Sequence, residues 1–135
     1  MSPQMFEEFI FPYQLPILER FGLNCYGCCE PLDLRWHIIK RIPRLRRVSV
    51  SPWSNVETMA DALQDTFIYS RKPAPTDIAV ANPDWSKIRS ELRELFRVTR
   101  KNRVEIIMKD NHTLGKNPDN ARIWCTIAKE EAERC

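Results

Sequence analysis

The side chains able to do chemistry gather in four short clusters: Asn24-Cys25-Tyr26-Gly27-Cys28-Cys29-Glu30-Pro31, Ser51-Pro52-Trp53, Ser70-Arg71-Lys72-Pro73 and Lys109-Asp110-Asn111-His112. In the first, the spacing Cys25-x-x-Cys28 lets two thiolates reach one tetrahedral zinc ion. It equally suits thiol redox chemistry, in which one sulfur attacks and the other resolves, and small thiols also serve as plain packing groups. Cys28 and Cys29 are the functional candidates and Cys25 the packing one. With no second Cys-x-x-Cys, a closed structural zinc site is not indicated, and an open site completed from another strand is the better metal arrangement. His112 can supply that ligand or act as a general acid. Asp110 can orient the histidine, bind metal or act alone, while the bland alternative for both is a loop capping its own backbone.

The other clusters suggest binding. Arg71 and Lys72 offer two cations for a carboxylate or phosphate, with Glu30 placed to balance Arg71. Trp53 can wall a flat ligand or cap a rim. Glu105 lies at the start of its strand, away from these clusters, and is expected to pair with a basic residue. His37, in mid-helix beside Trp36, is expected at the surface or in packing.

What must position these groups is one leading helical segment and four strand–helix units. Residues 3–21 carry a helical apolar pattern that Pro12 and Pro16 should kink or divide, and Gly22 suits its C-cap. Strands are expected near 23–27, 47–50, 66–69 and 104–108. Between them, Asp33 caps a helix with Leu34, Ile38 and Ile42 at helical spacing, ended by Pro43. Ser54 or Asn55 caps a helix burying Val56, Met59, Ala60 and Leu63. Asp84 caps the longest helix, with Ile88, Leu92, Leu95, Phe96 and Thr99 on one face. Asp119 opens a last helix with Ala121, Trp124, Cys125, Ala128 and Ala132 inward. Such alternation implies a parallel sheet with right-handed crossovers. Four units make half of an eight-fold (β/α)8 TIM barrel, whose strand ends all open on one face. Each cluster follows a strand, so the four should converge there. With only Gly22, Gly27 and Gly115, no glycine-rich nucleotide fingerprint follows any strand.

The chain's 135 residues suit a single domain, and 43% hydrophobic content argues against disorder. The net charge of +3 is mild. Arg41, Arg44, Arg46 and Arg47 cluster around Pro43 without interleaved aromatics, so they read as a solvated turn rather than a nucleic-acid surface. No apolar run approaches the ~18 residues of a membrane span. Glu7 and Glu8 interrupt the apolar N-terminal stretch, unlike a signal peptide. Five cysteines, two of them adjacent, fit free or metal-bound thiols in a reducing, cytoplasmic setting better than a disulfide framework.

At these motifs the sequence resembles the C-terminal half of the uroporphyrinogen decarboxylase-like family, nearest the branch with corrinoid-dependent methyltransferases. The resemblance rests on Ile17-Leu18-Glu19-Arg20-Phe21-Gly22, on Cys25 to Pro31, on Ile42-Pro43-Arg44-Leu45-Arg46-Arg47, on Ser49-Val50-Ser51-Pro52-Trp53 and on Ile106-Ile107-Met108-Lys109-Asp110. It implies a fragment or stand-alone half of a barrel roughly twice this length. Its exposed sheet edges and apolar barrel interior would drive association, as a homo-oligomer or with an N-terminal barrel half. It also implies methyl transfer linked to a corrinoid protein, with zinc held by Cys28, Cys29 and His112, Arg71 and Lys72 on an anionic group, and Asp110 in acid–base or supporting work. This sequence departs from the branch's pattern of His-x-Cys plus a late cysteine, having Cys-Tyr-Gly-Cys-Cys and then Asp110 and His112. Two alternatives stand beside it: a metal-free tetrapyrrole or corrinoid binder cradling a flat ring with Trp53, Tyr26 and Arg71, and a non-catalytic assembly half. Decarboxylation by this chain alone is not expected, because that branch's catalytic groups lie in the other half.

Overall fold

The computed structural model describes residues 1–27 and 29–134, so Cys28, a candidate ligand, lies outside the described residues. The leading segment divides just before Pro12, into α1 (Pro3–Phe9) and α2 (Phe11–Leu18), while Pro16 lies inside α2 without dividing it. Ser2 accepts from the Met5 amide at the start of α1, and Pro12 falls in the first turn of α2, where no amide is needed. Gly22 is not the C-cap: α2 closes four residues earlier, with the Glu19 amide on the Leu15 carbonyl.

Four parallel strands follow, β1 (Asn24–Tyr26), β2 (Leu45–Val50), β3 (Ile68–Arg71) and β4 (Arg103–Ile106), in the order β1-β2-β3-β4. Between them lie α3 (Trp36–Ile39), entered by a 3₁₀ turn at Asp33–Arg35, then α4 (Val56–Leu63) and α5 (Trp85–Val98), with α6 (Asp119–Ala132) last. Thus a four-strand parallel sheet alternating with helices is present, consistent with a half-barrel. The ends shift from expectation for local reasons. The Phe67 amide still closes α4 on the Leu63 carbonyl, so β3 starts later than 66. The 3₁₀ entry to α3 swings Leu34 outward to 77% exposure, away from the buried Ile38 and Ile42.

Sequential strand order with right-handed crossovers lays the connecting helices on one face of the sheet. Val48, Val50, Tyr69 and Ile106 point to that face and meet Ile38, Met59, Leu63 and Leu95 in the main core. The opposite face carries Cys25, Arg47, Ser49, Ser70 and Glu105, set level by the register pairs Cys25–Arg47 and Ser49–Ser70–Glu105. The expectation of an apolar interior meets a largely polar face, with Ile68 as its aliphatic member, where Arg47 reaches over β3 to an ion pair with Glu105 at 2.9 Å.

A second core joins α5 to α6 through Ile88, Leu92, Trp124 and Ile127. Cys125 and Ala132 are exposed, not inward; Asn120, Trp124, Ile127 and Glu131 form the buried stripe instead. Hydropathy hid this rotation because two of the four are polar. Asn120 Nδ2 donates to the carbonyls of Val80 and Leu114, both at 3.0 Å. Glu131, 1% exposed, accepts from Arg89 and Arg93. Among the described residues no helix is long and apolar enough to cross a membrane.

Candidate functional site

The site is built by the turn that ends β1. Gly27 has φ +143°, and a Cβ there would lie 2.5 Å from both Cβ and O of Ser49, so only glycine lets the chain press against β2. From Gly27 the loop runs across the C-terminal end of the sheet. Cys29 Sγ accepts from Lys109 Nζ at 3.1 Å, and Lys109 Nζ reaches Asp110 Oδ2 at 2.8 Å. Those residues follow β4, on the opposite edge from β1. Three strand spacings span ~14 Å in a flat sheet, while two residues cover at most ~7 Å. The loop must therefore lie over the sheet, and the long Lys109 side chain closes the remaining gap.

Cys29 Sγ also lies 3.8 Å from Asp110 Oδ2. Hydrogen bonds to Asp110, then to Cys29, hold the Lys109 ammonium above the ordinary lysine range, and the Lys109 bond holds the Asp110 carboxyl below its own. An ammonium donating to sulfur stabilises negative charge there. Asp110 thus serves Lys109 rather than aligning His112, which is exposed, its amide on the Asp110 carbonyl. Among the described residues no group of three or more His, Cys, Asp or Glu side chains that could hold a metal ion is found, and the Lys109 ammonium contacts both the Cys29 thiol and the Asp110 carboxylate.

The remaining candidates are separated. Strand alternation sends Arg71 to the helix side, where Nη1 donates to the Ser51 carbonyl at 2.8 Å, and Lys72 to the polar face, where Nζ donates to Ser70 Oγ at 2.6 Å. The two cations therefore do not share an anion. Trp53, 74% exposed, lines with Arg71, Asp77 and Lys87 a groove of about 770 Å³ against α5. Tyr26 lies elsewhere, its hydroxyl donating to Gln14 Oε1 at 2.7 Å and its ring edge-on to Phe6. It borders a cavity of about 340 Å³ with Cys25, Gly27 and Glu30. Glu30 pairs with Arg35, whose hydrogen bond keeps its carboxyl low. The arginines near Pro43 each have a partner in the chain: Arg41 with Glu7, Arg44 with the carbonyls of Phe21 and Glu19, Arg46 with that of Thr66, and Arg47 with Glu105.

Sequence reasoning missed Lys109 as a participant and missed that Lys72 faces away from Arg71. A two-residue alternation through Ser70, Arg71 and Lys72 carried the second point; no local signal carried the first. Neither a family model, nor a curated protein, nor a solved structure matches the chain.

Proposed function

We propose that the mouth formed by Gly27, Cys29, Glu30 and residues 107–112 is a group-transfer site in which Cys29 is the reacting thiol. Following the sequence resemblance, the group is a methyl delivered by a corrinoid partner. The observation that carries the reading is the Lys109–Cys29 hydrogen bond, which joins the ends of the first and last strands. Lys109 stabilises negative charge on the sulfur, and Asp110 keeps Lys109 charged. The sulfur lone pair forms the new S–C bond, and the donor leaves with the electron pair of the bond that breaks. Zinc enters this reading only if Lys109 swings aside and Cys28 joins Cys29 and His112.

The test uses methylcobalamin with the reduced protein, read by peptide mass mapping, alongside elemental analysis of metal per chain. The expected result is S-methylation of Cys29 without bound zinc, slowed several-fold by Lys109→Met. An unmethylated Cys29 refutes the thiol-acceptor reading. Near one zinc per chain, lost in Cys29→Ser, replaces it with metal-held chemistry. A second reading is favoured by one observation, the exposed Trp53 beside Arg71 in the large groove: a flat anionic ring would lie there. A visible-absorbance shift on adding a corrinoid, lost in Trp53→Ala and without methylation, selects it.

A further inference from the structure

We propose that Lys72 is a carbonyl-reactive lysine, its amine held at the C-terminal end of β3 on the polar face, hydrogen-bonded to Ser70 and placed to form an imine with a small aldehyde or ketone. The backbone fixes the direction. The Lys72 amide continues the ladder to the Val50 carbonyl at 2.8 Å, so Lys72 stands on the same side as Ser70, two residues earlier. Its Nζ confirms this by donating to Ser70 Oγ at 2.6 Å. The Gly27 turn against Ser49 and the Arg47–Glu105 pair lie on that same face, and Lys72 is only 9% exposed.

A lysine buried to this degree is ordinarily matched by a carboxylate. Lys72 has none within ion-pairing distance among the described residues; Glu105 is committed to Arg47, and Asp110 to Lys109. Burial is the main reason its amine loses its proton more readily than an ordinary lysine. Arg47 and Lys109 push the same way, and Glu105 and Cys25 oppose them. A desolvated amine of this kind is the nucleophile that imine chemistry requires.

The step balances without any outside reagent. The neutral amine adds to the carbonyl carbon, the carbonyl π pair moves to oxygen, and that oxygen takes up a proton as nitrogen gives one up. The nitrogen lone pair then forms C=N as the hydroxyl leaves with a further proton, so amine plus carbonyl gives imine plus water. Ser70 Oγ is placed to relay the nitrogen's proton. The amine, not the hydroxyl, is the group that meets the ligand, because Ser70 is wholly buried beneath it. This inference does not rest on the role of Cys29.

The experiment treats the folded protein with glyoxylate and cyanoborohydride near neutral pH and maps carboxymethyl-lysine by peptide mass spectrometry. Lys40, Lys87, Lys101, Lys116 and Lys129 are all exposed and serve as internal references. Lys72 should be labelled faster than each of them, since a desolvated amine offers a larger neutral fraction to add to the carbonyl. Ser70→Ala should reduce that advantage. Labelling that follows exposure, with Lys72 last in the folded protein and equal to the others in denaturant, overturns the proposal. The map of the unmutated chain decides the matter even if Lys72→Met does not fold.

Discussion

Replacing Gly27 with alanine tests the arrangement on which the mouth depends. The new Cβ would sit 2.5 Å from Cβ and O of Ser49 and 3.0 Å from its Cα, where ordinary contact is ~3.5–4.0 Å. The backbone at φ +143° adds about 1–3 kcal/mol for any residue with a side chain, and the overlap about 1–3 kcal/mol more. The loop is exposed on its outer side at Gly27, Cys29 and Glu30, so lifting it is cheaper than absorbing that sum. The expected loss in urea denaturation is therefore ~1–2 kcal/mol with an unchanged slope. Lifting the loop by ~1 Å takes the 3.1 Å Lys109–Cys29 contact out of hydrogen-bonding range. At that contact's exposure, its electrostatic worth is ~1 kcal/mol, about a five-fold effect on thiol alkylation. Iodoacetamide alkylation of Cys29, followed by peptide mapping, reads this directly. Lys109→Met should slow alkylation about five-fold in the parent and leave it unchanged in Gly27→Ala, a double-mutant cycle in which the coupling vanishes. An equal Lys109→Met effect in both backgrounds refutes the loop's placement across the sheet.

Two other outcomes are expected. Hydrogen bonds from Arg93, opposed by burial and joined by Arg89, hold the Glu131 carboxyl down to about 2 against an ordinary 4.5. A depressed carboxylate stabilises the fold fully above its unfolded value, so this contribution should be lost as pH falls from 4.5 towards about 2; urea midpoints across that window should drop, and Glu131→Gln should flatten the dependence. Self-association should run through the N-terminal helices rather than the polar sheet face, because Met5, Phe9, Tyr13, Ile17 and Phe21 leave an exposed apolar row at four-residue spacing. Sedimentation should show a species heavier than one chain at micromolar concentration, dissociated by Tyr13→Glu with Ile17→Glu; a monomer throughout refutes it.

The fold was legible where one local signal dominated. The Asn55 and Asp84 side chains cap α4 and α5 as their residue types suggest, and the apolar period of α5 found its buried face at Ile88, Leu92, Leu95 and Thr99. It was illegible where a polar residue took a core position. Asn120 and Glu131 are buried because carbonyls and arginines from distant segments meet them, and no pattern within residues 119–132 encodes those partners. The site divided the same way. Its clusters were identifiable from their place after strands, but the tie between Cys29 and Lys109 spans 80 residues and depends on a turn that only Gly27 permits.

The same turn explains why a polar sheet face is tolerable here. A closed barrel fills its interior with branched apolar side chains; a sheet whose inner face stands open has no such packing to gain. Arg47 and Glu105 satisfy one another across β3, Lys72 folds down onto Ser70, and the Gly27 turn presses on Ser49. Cys25 stays exposed on this face, and Cys29 is held at its end by Lys109. Filling the face with Leu or Val would remove the pairing that keeps these groups in place and would leave Lys72 without its hydroxyl partner. The Cys29 thiol and the Lys72 amine can share one end of the sheet because neither has to be inserted into an apolar core.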